Sequence, residues 1–173
     1  MQSRLLYDII GLALFAGVIL FGVPALFGYD GFELNTFSRY LSLAIVSMAL
    51  ALSWGTAGLL NLGQAATFGM GSYAMAMHLK LKASGENLPD FMSWNNVDAL
   101  PLIWAPFHSL TFTLLAGLLI PAAVGGLIAI FMFRARIAGV FVAVITLAFL
   151  VAFQLVVIEQ QGLTGGQNGL TGL

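Results

Sequence analysis

The sequence contains no cysteine, which removes disulfides, thiolate metal sites and cysteine nucleophiles from consideration. Charge is nearly as scarce: Asp, Glu, Lys and Arg supply 8% of the 173 residues, against about 25% in soluble domains. The basic residues, Arg4, Arg39, Lys80, Lys82, Arg134 and Arg136, are scattered, and the net charge is −1. No basic face exists to neutralise phosphates, so nucleic acid is excluded as a partner. His78 and His108 each lack a second ligand at helical spacing, so each is expected to be a satisfied polar residue near a membrane edge rather than a metal ligand. No metal or cofactor is expected.

What remains is hydrophobic. Apolar residues make up 60% of the chain and the mean hydropathy is +0.99, which places it among polytopic membrane proteins. Between Arg39 and Lys80 run 40 residues without an Asp, Glu, Lys or Arg. As one helix they would extend about 60 Å, roughly twice the hydrocarbon thickness of a bilayer. The stretch must cross twice or break, and the break falls at Trp54–Gln64, where Gly55, Gly58 and Gly63 stand among Thr56, Asn61 and Gln64. Such a turn carries no charge and is expected to be covered by protein.

The predicted fold class is all-α: one transmembrane helix bundle over residues 1–173, with spans near 9–27, 40–60, 62–79, 110–133 and 137–158. The apolar run after Arg4 is too long for a secretory signal and has no small-x-small cleavage site, so it is expected to stay as the first span. The connection 80–109 holds three of the five prolines and two of the three tryptophans. It is expected to be a structured outer loop, with Phe91, Trp94, Trp104 and Phe107 at headgroup level. The basic residues divide evenly between the two sides; the compact Arg134-Ala135-Arg136 turn favours the N-terminus inside. Small residues at spacings of four and seven, among them Gly55, Gly58, Gly63, Gly69 and Gly71, mark candidate packing stripes. Pro121 predicts a kink whose freed carbonyl needs a neighbour.

No catalytic constellation is present, because the expected spans lack Asp, Glu, Lys, Arg and any pair of histidines able to shuttle protons or bind metal; an enzyme is not expected. The uncharged polar residues at membrane depth are Trp54, Thr56, Asn61, Gln64, Thr67, Thr146 and Gln154. Singly, each is expected to make interhelical hydrogen bonds. As a group beside a broken helix, Asn61 and Gln64 first, then Trp54 and Thr56, are candidates for lining the path of a polar solute. Thr164-Gly165-Gly166-Gln167-Asn168-Gly169 lacks the lysine of a phosphate loop and follows no strand, so a solvated turn is expected. Glu159 is expected to anchor a membrane edge.

Several of these segments together carry a resemblance. Trp54-Gly55-x-x-Gly58-Leu59-Leu60-x-Leu62-Gly63-Gln64-Ala65 and Phe68-Gly69-x-Gly71-x-Tyr73-Ala74 are followed by Arg134-x-Arg136-x-x-Gly139-Val140-Phe141, Ile145-Thr146-Leu147-Ala148 and Thr164–Leu170. In that order they resemble the permease subunits of branched-chain amino acid type ABC importers. Met75-Ala76-Met77-x-Leu79-Lys80-Leu81, Leu88–Asn95 and the glutamine at Gln64 are most similar to the urea permease branch. The resemblance implies a multi-pass subunit of the bacterial inner membrane. It also implies a second permease subunit forming a heterodimer, cytoplasmic ATPase subunits and a periplasmic solute-binding protein. The solute would be urea or a short amide, with branched-chain amino acids as the alternative; an ATP-independent channel or a membrane scaffold is the alternative from another class. Members of this family continue with further spans and a segment that docks the ATPase, so an N-terminal half is expected here.

Overall fold

The computed structural model describes residues 10–11, 13–26, 31–85 and 87–171, and every regular element among them is helical. The chain divides between Ser47 and Met48 into two compact units. In the first, α1 (Ala13–Leu26) contains a π-helical turn over Val18–Gly22. Pro24 has no N–H to return to a carbonyl one turn back. Just ahead of it the Val23 N–H bonds instead to the Val18 carbonyl, five residues back. The wider turn lets the helix continue through the proline. Both ends of the expected 9–27 span lie outside the described residues; the described part, about 21 Å long, is shorter than the roughly 30 Å core of a bilayer.

Helix α2 spans Gly31–Ala57, starting nine residues before the expected Tyr40. The charged residues Glu33 and Arg39 lie inside it, Glu33 in the first turn, where a carboxylate suits the helix dipole. Its end is set by Gly58, at φ 65°, whose N–H bonds to Trp54 O at 3.0 Å in a left-handed cap. Three further long helices follow in the second unit: α3 (Gln64–Ser84), α5 (Leu110–Arg134) and α6 (Val140–Glu159), with the short α4 (Asp90–Trp94) between the first two. By length and apolarity, α2, α5 and α6 are the three helices among the described residues that suffice to cross a membrane.

Helix α3 is long enough but too polar to meet the same criterion, and its surroundings explain why. It buries Ala66, Ala74, Met77, His78, Lys80 and Leu81, whereas α2 buries no residue. α5 and α6 each pack on α3 more than on each other. A helix surrounded by protein can carry Gly, Ser, Thr and His where a lipid-facing one cannot. α3 and α5 come into close backbone contact at mid-helix. Pro121 cannot donate to the Gly117 carbonyl one turn back. That carbonyl faces Gly71, where an added Cβ would stand 3.1 Å from it; a Cβ on Gly117 would in turn stand 3.5 Å from the Ala74 Cβ. Glycine on both helices lets the unpaired carbonyl lie against backbone.

Residues 87–109 form a cap that shares a core with α3 and α5. Phe91, Met92 and Phe107 are buried with Met77, Leu81, Ala74 and Ala116, and Leu88, Val97, Leu100, Trp104 and Leu170 pack around them. This corrects the headgroup placement of the aromatics: Phe91 and Phe107 are 7% and 5% exposed, and only Trp94 stands free at 77%. The Trp104 indole N–H donates to Leu163 O at 3.0 Å, and His78 Nδ1 donates to Phe107 O at 2.7 Å, which fixes the proton on that nitrogen. Lys80, 6% exposed, donates to Asp90 Oδ2 at 3.2 Å and to Thr171 O at 2.9 Å. One buried ammonium thus joins α3, α4 and the segment after the short helix α7 (Gln161–Thr164). The glycine turn beyond α7 is solvated at Gln167 and Asn168, as expected, but is packed at its start: Gly166 is buried, and a Cβ on Gly165 would collide with the Gly169 backbone.

Gly71→Ala is expected to destabilise the protein by about 1–2 kcal/mol, the range of an overpacked contact. Gly55→Ala, at a position with open space around it, is expected to be neutral or stabilising by up to about 1 kcal/mol; thermal unfolding in detergent separates the two. Lys80→Met keeps the apolar stem and removes the ammonium. Amide hydrogen exchange is expected to accelerate in the segment after α7 while that of α5 stays unchanged.

Candidate functional site

The non-helical residues 58–63 between α2 and α3 lie against the inner ends of α5 and α6. Around them is a cleft of about 280 Å³. Asn61, Gly63 and Thr67 line one side, with Ser53 and Ala57 from α2; Gly125, Ile128, Ala129, Met132 and Phe133 come from α5, and Val142, Thr146 and Phe149 from α6. Because α5 and α6 each pack on α3 rather than on one another, their inner halves leave this gap between them. The small side chains at Gly125 and Ala129 keep α5 from filling it.

A broken helix exposes backbone donors and acceptors, and apolar surroundings supply no water for them. Here side chains take that role. Asn61 Oδ1 accepts the Gly63 N–H at 3.0 Å, and Asn61 Nδ2 donates to Gln64 Oε1 at 3.1 Å. Leu62 N–H donates to Thr146 Oγ1 at 3.0 Å, across to α6. Ser53 Oγ donates to Leu59 O at 2.9 Å and Thr67 Oγ1 to Gln64 O at 2.8 Å. Gly63 is fixed by contact: an added Cβ would stand 2.8 Å from the Thr146 carbonyl oxygen. Gly58 is fixed by its backbone, in the left-handed region that a Cβ disfavours.

The candidate residues separate on this geometry. Asn61 lines the cleft, and Gln64 reaches it through its bond to Asn61. Trp54 is 61% exposed on the last turns of α2, and Thr56, exposed, donates to Leu52 O of its own helix; neither lines the cleft. Gly69 lies 3.6 Å, as an added Cβ, from the Phe153 ring, ordinary contact, and Gly71 meets α5. Sequence reasoning gave no role to Ser53 or to the apolar wall of Ile128, Met132, Phe133, Val142 and Phe149. The spacing Gly125–Ala129, one turn apart beside a polar break, is the signal that could have located the wall. No ionisable side chain lines the cleft, and no group of acidic, histidine or cysteine residues able to hold a metal occurs among the described residues.

Gly63→Ala is expected to break the contact between residues 58–63 and α6, lowering stability by about 2 kcal/mol or more, since the obstacle is backbone and cannot rotate away. Gly58→Ala is expected to cost about 1 kcal/mol from φ strain alone. Unfolding midpoints of the two variants, measured side by side, check the order.

Residues 33–172 match the family described as branched-chain amino acid transport system, permease component. No curated protein and no solved structure matches. The matched region contains the whole of the cleft, the α3–α5 seam and the cap, and the family's role is transport rather than catalysis. The chain is a membrane protein and belongs to the permease-component family of the ABC transporters for branched-chain amino acids.

Proposed function

We propose that this chain forms part of the solute path of an ABC importer for urea or a short amide, and that the cleft at residues 58–63 is its contribution to that path. The observation that carries the reading is the hydrogen-bonding character of the cleft. Ser53 and Thr67 spend their hydroxyl hydrogens on backbone carbonyls, so they face a solute as acceptors. The second amide hydrogen of Asn61 has no acceptor among the described residues and can meet a carbonyl. An array of acceptors with one donor matches a small diamide. A carboxylate would find no cation there.

A second reading is favoured by the apolar wall. Ile128, Met132, Phe133, Val142 and Phe149 suit an aliphatic side chain, and the family description names branched-chain amino acids. In either case residues 1–173 are read as one transmembrane domain with about five crossings, N-terminus inside and cap outside: α2, α5 and α6 cross, α3 packs against α5 and α6, and a first span near 9–27 completes the count. The setting is the bacterial inner membrane, with a second permease subunit, cytoplasmic ATPase subunits and a periplasmic solute-binding protein.

ATPase activity of the reconstituted importer, with binding protein, is expected to rise with urea and acetamide and not with leucine; stimulation by leucine alone selects the second reading, and uptake without ATPase subunits would mean a channel. Asn61→Ala and Gln64→Ala are expected to lower uptake by about tenfold, the scale of one lost hydrogen bond to a solute, with little change in abundance. Equal loss of uptake and abundance would reduce both residues to packing.

A further inference from the structure

Thr146 is 4% exposed in the middle of the contact between α6 and the broken helix. Its hydroxyl hydrogen is spent within α6, on Val142 O at 2.9 Å or Ala143 O at 3.1 Å, and its oxygen accepts the Leu62 N–H at 3.0 Å from 84 residues away. One residue along, Gly63 lies against the Thr146 backbone so closely that a Cβ would stand 2.8 Å from its carbonyl. Residues 61 and 63 on either side of that bond line the cleft, as does Thr146 itself. Among the described residues no other side-chain hydrogen bond ties the break to α6, so the position of Asn61 relative to the α5 wall depends on this hydroxyl.

We infer that Thr146 is the positioning residue of the cleft: by holding Leu62 it fixes Asn61 opposite Ile128 and Ala129, and so sets the cleft width that a solute meets. The inference rests on the reading of the cleft as solute path. Without the hydroxyl, the Leu62 N–H is left unpaired in apolar surroundings, and residues 58–63 can leave α6.

The test uses Thr146→Val, which keeps the shape and removes the hydroxyl, and Thr146→Ser, which keeps the hydroxyl. Because the chain has no cysteine, Ala129→Cys gives a single thiol in the cleft wall, labelled with a water-soluble maleimide in the assembled importer. Thr146→Val is expected to speed labelling and to raise the KM for urea uptake, each by about five- to tenfold, with kcat changed less; Thr146→Ser is expected to resemble the parent in both. Equal labelling in all three backgrounds overturns the positioning role whatever uptake does. Damage by Thr146→Ser equal to that by Thr146→Val assigns the effect to the methyl group and also overturns it. Faster labelling in Thr146→Val with unchanged KM for every solute leaves the break displaced but overturns the cleft as solute path.

Discussion

A helix that stops inside apolar surroundings must find partners for its backbone in the protein, because neither lipid nor packed side chains provide them. In this chain the requirement falls on residues 58–63, and it governs what surrounds them. Gly58 ends α2 in a left-handed turn, Asn61 takes the Gly63 amide, and Thr146 takes the Leu62 amide. The last of these could not form if α6 stood one side-chain radius further away. Gly63 allows the approach, since any side chain there would meet the α6 backbone.

Helix α3 carries the same logic along its length. Its N-terminal end is tied to α6 through the break. Its middle meets α5 where Pro121 has freed a carbonyl, and Gly71 places backbone against that oxygen. Its C-terminal end is tied to the cap by His78 and Lys80, whose partners are the Phe107 carbonyl, Asp90 and the Thr171 carbonyl. Polar contacts thus hold both ends, and close backbone packing holds the centre. Hydrophobic burial cannot do this in lipid, which is as apolar as the side chains it would have to compete with. The position of α3 follows from hydrogen bonds and small residues, and α3 is accordingly the least apolar of the long helices.

The long apolar helices α5 and α6 were legible in the sequence because their pattern depends only on composition: the ends at Leu110 and Glu159 fall within a residue of the expected limits. The site of the break was legible for a similar reason, since uncharged glycines between two spans leave few alternatives. The start of α2 was not, because Arg39 limits the uncharged stretch but not the helix, which already runs from Gly31 with Glu33 in its first turn. The cap was misread where aromatic residues suggest headgroup contact; whether Phe91 meets lipid or Met77 depends on the pairing of residues 90–107 with α3, a contact that no local pattern encodes. Thr146 was visible as a polar residue in an apolar span, but its partner is 84 positions away, and nothing local identifies it.

The resulting cleft has two faces of different chemistry, and their arrangement bears on which solutes it can separate. Ser53 of α2 and Thr67 of α3 present hydroxyl oxygens whose hydrogens are committed to backbone carbonyls, while Asn61 spends its carbonyl oxygen on the Gly63 N–H and keeps one amide hydrogen to donate, so that side offers two acceptors and one donor. Residues from α5 and α6 present aliphatic and aromatic surface. A missing polar partner costs more than a missing methylene, because a buried donor or acceptor left unpaired loses its full solvation, about 1–3 kcal/mol, against about 0.8 kcal/mol per buried CH₂. Discrimination in such a cleft is therefore set first by hydrogen-bond pattern and second by length of the apolar part. On the proposed reading, a wall of five apolar side chains tolerates a range of aliphatic lengths, while the accepting hydroxyls of Ser53 and Thr67 do not tolerate a carboxylate without a cation from elsewhere in the path.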